Sequence, residues 1–358
     1  MENLDNDVDI KFLDDHYNIN YNWNIISVSK DTNNSRIVFC GENKQNSNDC
    51  LYIKQFKIKF TDANNINNEI SNVLKEAYFL TILKEVKYFV KLEDMFLDND
   101  YKRLFLVFKG NCVSLNKLID YKTNDYLSDY DLIKWIIYQI SYGLYVLHSN
   151  QIIHNDIKPS NILIDEIGGI TICDFGSAAY KNKESDSYTR YYSSPEFLNN
   201  TNKIRDEKSD MWSLGVIMVE LFLKQNRFFK CDDEERTIEN QLKGIFTKLG
   251  IENIKPEEIS NIIEDDNNYE QYKLKNEEII KNIPDKDAVD LITNLLVINP
   301  KKRFTSLEVL NSKYLLDYKD TDPLDVKVQE NLIYEKLNDS LIDVNKFIEI
   351  IGDLRSRL

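Results

Sequence analysis

The stretch DLIKWIIYQISYGLYVLHSN (131–150) constrains the fold more than any other part of the chain. It is twenty residues long and largely apolar, which is the pattern of a helix buried at the centre of a helical body. DMWSLGVIMVELFL (210–223) reads as a second such helix. AVDLITNLLVI (288–298) reads as a third, stopped by Asn299-Pro300. The most apolar run, Trp212 to Leu223, is too short to span a membrane and contains Glu220.

The chain ahead of these helices has a different period. NIISVS (24–29), SRIVFC (35–40) and CLYIKQFKI (50–58) are β-rich runs separated by polar turns, NKQNSND (43–49) being the clearest. They predict an antiparallel meander. Residues 67–84 carry apolar side chains at 70, 73, 74, 77, 80 and 83, which is helical spacing. Two more strand-like runs follow, FVKLEDMFL (89–97) and RLFLVFK (103–109). The expected fold class is therefore α+β and bilobal. An acidic extension (1–21) precedes a β-rich lobe with its connection (22–111), an α-rich lobe (112–318) and a helical tail (319–358). In the tail, apolar positions 333, 337, 341, 344, 348, 351, 354 and 358 form one helical stripe. The bland reading is a helix packed on the large lobe. The sharper one is a helix that binds a regulatory partner.

Charge narrows the function. The chain has 45 basic and 60 acidic residues and a net charge of −15, which argues against generic nucleic-acid binding and favours a basic protein or peptide partner. Cys40, Cys50, Cys112, Cys173 and Cys231 are scattered and form no C-x-x-C pair, which argues against a zinc cluster or a disulfide framework. The start, MENLDNDVDI, has no apolar signal core, and Glu2 stands where myristoylation needs glycine. A soluble intracellular protein, cytoplasmic or nuclear and with no membrane partner, is expected.

The chemistry concentrates in IIHNDIKPSNILIDEIGGITICDFG (152–176). The apolar runs NILI and ITIC flank DEIGG, a turn composition, so a hairpin brings Asp156, Asn161 and Asp174 near its strand ends. Two carboxylates and a carboxamide make an all-oxygen site suited to Mg²⁺ sharing phosphate oxygens. Lys158 can neutralise charge on a transferred phosphoryl group. Each short motif alone is more often a turn than a site.

Taken together, the string resembles the protein kinases. HNDIKPSN (154–161) is similar to their catalytic loop, and DFG (174–176) follows at the expected spacing. Lys54 in LYIKQF looks like the strand lysine, and Glu76 in E-x-x-F-L-x-x-L looks like its helical partner. Ser194-Pro195-Glu196 stands for A-P-E, Asp210 in KSDMWSLG for the aspartate of the central helix, and Arg303 in NPKKRFT for the partner of Glu196. The resemblance covers roughly residues 22–315.

It implies a Ser/Thr protein kinase using ATP and Mg²⁺ on a protein substrate. Lys54, held by Glu76, would position the phosphates, with Phe108 as gatekeeper and Lys109 to Cys112 as the hinge. Asn161 and Asp174 would hold the metal, Asp156 would accept the substrate proton, and Lys158 would stabilise the moving phosphoryl group. Lys158 and Thr189 favour Ser/Thr over Tyr as the acceptor. DFGSA, TRYYSSPE and QLKGIFTKLG (241–250) resemble the CMGC group, in its glycogen-synthase-kinase and cyclin-dependent-kinase branch.

Three positions depart from the pattern. SVSKDTNNSRIVF (27–39) contains no glycine where kinases have a Gly-rich loop, and Asp31 adds negative charge, so weak phosphate binding is expected. Asn155 replaces an arginine that grips activation-segment phosphate, and the segment carries Ser185, Ser187, Tyr188 and Thr189. Ser193 replaces the arginine usual in CMGC kinases, so proline-directed specificity does not carry over. The missing glycines would suit a pseudokinase, a binding or scaffold module of the same fold. The intact Lys–Glu–Asp–Asn–Asp set opposes that alternative.

Overall fold

The structure is a computed structural model. It describes residues 23–30, 36–45, 50–58, 68–98, 102–110, 113–120, 125–182, 189–199, 206–230, 237–251, 254, 258–264, 268–328, 337 and 344–358. The chain divides into two compact units. One comprises Met1–Lys84, Val90–Cys112 and Asn331–Leu358, the other Glu85–Phe89 and Val113–Glu330.

The smaller unit is built on β1 (Trp23–Lys30), β2 (Arg36–Asn43), β3 (Cys50–Lys57), α1 (Asn68–Ile82), β4 (Lys91–Leu97) and β5 (Arg103–Gly110). The strands form one antiparallel sheet in the order β1-β2-β3-β5-β4. Alternation along the strands sorts side chains to opposite faces. Ile37, Phe39, Leu51, Ile53, Phe96, Phe105 and Val107 gather into one buried cluster. Phe96 stacks on Phe105 with ring centroids 5.0 Å apart. Lys54, one residue out of phase with Ile53, is paired in register with Val38 and Leu106.

Helix α1 is more buried than its predicted stripe requires. Besides Leu74, Ala77 and Leu80, the side chains of Glu76, Tyr78, Phe79 and Thr81 are at most 5% exposed. A second cover explains this. The C-terminal helix (Val344–Arg355) packs against α1 and β4 and buries Phe347, Ile350, Ile351 and Leu354. This corrects the expected packing on the large lobe. Of the predicted stripe, Leu337, Ile351 and Leu354 are buried as expected, whereas Ile348 is 37% exposed and Phe347 and Ile350, outside the stripe, are fully buried. Positions 333 and 341 lie outside the described residues.

The larger unit opens with β6 (Val113–Ser114) and α2 (Leu115–Asp120), followed by α3 (Tyr130–Ser149) and β7 (Ile152–Ile153). Then come β8 (Ile162–Ile164), β9 (Ile170–Ile172) and β10 (Ala179–Tyr180). Its later helices are α4 (Pro195–Asn199), α5 (Glu207–Leu223), α6 (Ile238–Leu249), α7 (Ile259–Glu264), α8 (Glu277–Lys281), α9 (Lys286–Leu295) and α10 (Ser306–Leu310). Asp129 caps α3 by accepting from the amides of Asp131 and Leu132, and Asp285 caps α9 in the same way. In α5, fourteen of seventeen residues are buried, which makes it the axis around which the unit packs. Gly215 permits the close approach of α5 to α9. A Cβ there would meet Leu295 Cβ and Leu296 Cδ2 at 2.9 Å.

Beyond α10, the chain is strapped along α3. Tyr142, Tyr145 and Asn150 donate to the carbonyls of Pro323, Leu324 and Val326 at 2.8, 2.6 and 3.0 Å. The expectation about cysteines meets one exception, because Cys50 is disulfide-bonded. Among the described residues, no helix is long and apolar enough to cross a membrane.

Candidate active site

In the smaller unit, β3 and α1 bring Lys54 and Glu76 together. Lys54 Nζ donates to Glu76 Oε1 at 2.5 Å, and Glu76 is only 3% exposed. A carboxylate that buried needs a cation, and the pair holds the ammonium in one place. The Lys54 ammonium also lies 5.3 Å from the ring centroid of Phe108, which is buried on β5. Lys109, next along β5, is exposed and 3.7 Å from Glu93 Oε2. Cys112 lies outside the described residues, as do residues 31–35 of the glycine-free loop. The flanking strands pair up to Lys30 opposite Ile37.

In the larger unit, the loop between β7 and β8 gathers the remaining residues. Asp156 is 9% exposed. Its Oδ2 accepts from Lys158 Nζ at 2.6 Å and from Asn161 Nδ2 at 3.0 Å. Its Oδ1 accepts from the Thr189 hydroxyl at 2.6 Å, and Lys158 donates to the same hydroxyl at 2.8 Å. An alcohol thus sits between a carboxylate and an ammonium. Asn161 spends its amide hydrogens on the carbonyl and carboxylate of Asp156, which turns its own carbonyl oxygen away from them. The Cys173 amide donates to the Asn161 backbone carbonyl at 2.9 Å, so Asp174 starts its turn one residue beyond that contact. Asp174 is left-handed, at φ 68°. Phe175 behind it is fully buried, edge-on to Phe89 and 4.8 Å from the His154 ring.

This loop hangs from Asp210, in the first turn of α5. Asp210 accepts from the backbone amides of His154 and Asn155, both at 2.9 Å, and its Oδ2 lies 3.1 Å from His148 Nε2. Burial works to raise its carboxyl, but the His148 hydrogen bond and the nearby histidines outweigh burial and hold the pKa down. Burial pushes the His154 imidazole down despite Asp210, Asp156 and Asp174.

The arrangement contains partners that motif reading missed. His148 bridges Asp210 and, through Nδ1 at 3.2 Å, Ser306 on α10. Only its place in the last turn of a buried helix hinted at a polar partner. Asn155 does more than omit a cation. It sits at φ 66°, a conformation Asn tolerates, and its side-chain amide donates to the Ser177 carbonyl at 3.0 Å. Glu220, noted only as a charge in an apolar run, accepts from the Tyr192 hydroxyl at 3.0 Å and the Phe228 amide at 2.7 Å. Burial raises its carboxyl to about 7.

Arg303 pairs with Glu196 through two hydrogen bonds of 2.7 and 2.9 Å. Ser193 turns its hydroxyl back to the Thr189 carbonyl at 3.1 Å. Ser185, Ser187 and Tyr188 lie outside the described residues.

Residues 38–315 match the protein kinase domain family. The mitogen-activated protein kinase hog-1 of Neurospora crassa is 36% identical over 224 residues, covering 60% of this chain and 59% of that protein. HOG1 of Gibberella zeae is 32% identical over 279 residues, covering 74% of this chain and 73% of that one. The chain spans about 59% of the length of the first curated relatives it matches. A solved MAP kinase of Leishmania major, LmaMPK10, superposes with a TM-score of 0.69 at 22% identity, over 97% of this chain and 98% of that one, so it shares the fold. The two curated relatives are MAP kinases, which belong to the CMGC group. This chain belongs to the protein kinase family, in its CMGC group.

Proposed function

We propose that the chain is a Ser/Thr protein kinase that moves the γ-phosphoryl group of ATP to a hydroxyl of a protein substrate. The observation that carries this reading is the Thr189 hydroxyl held at 2.6 Å from Asp156 and 2.8 Å from Lys158. It marks where an alcohol can be oriented and lose its proton while an ammonium waits for the incoming charge.

The donor chemistry fits Mg²⁺. Among the described residues no cluster of three or more His, Cys, Asp or Glu side chains is suited to a metal. Asn161 and Asp174 instead offer two oxygens, the small protein share that Mg²⁺ takes when phosphates complete its shell. Bound Mg²⁺ supplies charge neutralisation on the phosphate oxygens.

Asp156 orients the acceptor hydroxyl and takes its proton at Oδ1, while Asn161 and Lys158 hold Oδ2. Lys158 offsets charge on the transferred group. Lys54, kept extended by Glu76, places a point charge for the α- and β-phosphates. The resemblance assigns Phe108, Lys109 and Cys112 to the adenine end in this reading. The net charge of −15 favours substrates with basic residues near the acceptor. A cytoplasmic or nuclear setting supplies both nucleotide and substrate.

The test is transfer of radiolabelled phosphate from Mg-ATP to Ser- or Thr-containing basic peptides, with Asp156→Asn as control. Transfer that falls about 100-fold or more in the variant is expected for loss of the general base. A wild-type protein that binds Mg-ATP but transfers nothing would overturn the reading in favour of a non-catalytic module.

A further inference from the structure

The first turn of α5 holds two loops at once. Asp210 accepts the backbone amides of His154 and Asn155, which fixes the loop that carries Asp156. Glu207 lies three residues earlier, on the same helical face. Its Oε1 accepts from Lys181 Nζ at 3.0 Å, and its Oε2 is 2.8 Å from the same ammonium. The Lys181 and Glu207 side chains are 33% and 23% exposed, so water screens the pair only in part. Burial works to raise the Glu207 carboxyl, but Lys181 outweighs burial and holds the pKa down.

Lys181 ends the stretch that begins at Asp174. Along it, the Ala178 amide donates to the Phe175 carbonyl at 3.0 Å, and the Ser177 carbonyl accepts from Asn155 Nδ2 at 3.0 Å. Ala179 and Tyr180 pair with Ile153 and Ile152, and the Lys181 amide donates to the Gln151 carbonyl at 2.8 Å. These links close a ring. It runs from Glu207 along α5 to Asp210, across to Asn155, on to Ser177, and through β10 to Lys181, which returns to Glu207. Asp156 directly follows Asn155, and Asp174 stands three residues before Ser177. The ring therefore places the general base and the metal ligand relative to each other. A two-residue strand pair is weak on its own, so the ion pair carries much of the closure.

We propose that Lys181 and Glu207 are positioning residues for the reaction: their ion pair closes this ring and keeps Asp174 placed against Asp156 without a phosphate on the segment. The inference rests on the kinase reading given above. Asn155 supplies a neutral tie at one end of the stretch. Lys181 and Glu207 supply opposite charges at the other end, so both charges of the clamp are encoded in the chain. Like charges at these two positions open the ring, let Asp174 drift, and cost metal-dependent transfer before they cost the fold.

Charge reversal in the full-length, phosphatase-treated chain tests this. Lys181→Glu, Glu207→Lys and the swapped double variant are compared with wild type and Asp156→Asn, at a temperature where melting curves show all forms folded. The readouts are kcat for peptide phosphorylation, the Mg²⁺ concentration giving half-maximal rate, and the affinity for adenosine. Each single reversal is expected to lower kcat about tenfold and to raise the half-maximal Mg²⁺ concentration, with adenosine affinity unchanged. The swap should return kcat to within about threefold of wild type, and Lys181→Arg, which keeps the charge, should stay within about twofold. A general loss of stability is not repaired by exchanging two charges. If a lysine at the start of α5 prevents folding, Lys181→Met and Glu207→Gln form a double-mutant cycle, in which the double variant should be no worse than the poorer single one.

A swapped variant as poor as the worse single reversal would overturn the proposal. So would folded single reversals with wild-type kcat, or losses that multiply in the neutral cycle. If wild type transfers no more phosphate than Asp156→Asn, the kinase reading fails and the inference with it. If Asp156→Asn is impaired and the reversals are not, only the inference fails.

Discussion

Replacing Glu196 by Gln removes a charge from a buried pair, and the structure sets the scale of the cost. Arg303 is 1% exposed. Its guanidinium gives two hydrogen bonds to Glu196, and others to the carbonyls of Val297 and Lys208 at 2.8 and 2.7 Å. It also lies 5.1 Å from the Trp212 ring centroid. With Gln at 196, the carbonyls remain but no carboxylate balances a cation out of water. Breaking one side of a buried pair costs about 3–5 kcal/mol. Glu196 keeps a 16% exposed side chain, so the lower end, about 3 kcal/mol, applies. Arg303→Met costs more, because it also strands the backbone carbonyls, each worth about 1 kcal/mol.

The double variant should then be less damaged than the sum, with a coupling of about 2 kcal/mol. At about 2–4 °C per kcal/mol for a unit of this size, Glu196→Gln should melt about 6–12 °C lower. Urea unfolding and scanning calorimetry of the four proteins measure both quantities. A Glu196→Gln protein melting within 2 °C of wild type, or strictly additive losses, would refute the claim that this pair holds α4 to the core.

Three further outcomes follow from particular residues. Burial raises Glu220 from its ordinary 4.5 to about 7, so the folded state holds that proton more tightly than the unfolded chain. Stability should fall by about 3 kcal/mol as pH climbs from 4.5 to 7, and Glu220→Gln should flatten the slope. Matching urea midpoints for the two proteins at pH 5 and pH 8 would reject this. The glycine-free loop should limit the gain in affinity from adenosine to Mg-ATP to about tenfold or less by calorimetry, and a gain beyond about a hundredfold would show that it cradles phosphate well. Asn155 ties to Ser177 by a neutral hydrogen bond, so phosphatase-treated enzyme, assayed early, should keep basal activity. Inactivity that reverses in step with phosphate at Ser185 or Ser187 would contradict it.

Much was legible before any coordinates. The strand and helix periods, the order of motifs, and the grouping of Asp156, Lys158 and Asn161 are local properties. Backbone sterics, side-chain charge and short spacing carry them, and residues a few positions apart cannot avoid each other. Lys54 and Glu76, 22 positions apart, could be matched by resemblance, but their 2.5 Å contact depends on β3 and α1 packing together. Tertiary structure alone decided which face of the C-terminal helix is buried and on what. The apolar stripe turns 351 and 354 inward as expected, yet Ile348 is exposed and Phe347 and Ile350 are buried, because a helix turns toward whichever neighbour fits it. The roles of Asn155, His148 and Glu220 were hidden for the same reason. Each depends on a partner brought near by the fold: Ser177 for the first, Asp210 for the second, and Tyr192 with Phe228 for the third. A sequence lists hydrogen-bonding groups, but only packing removes the water that would otherwise satisfy them, and that removal makes a distant partner necessary.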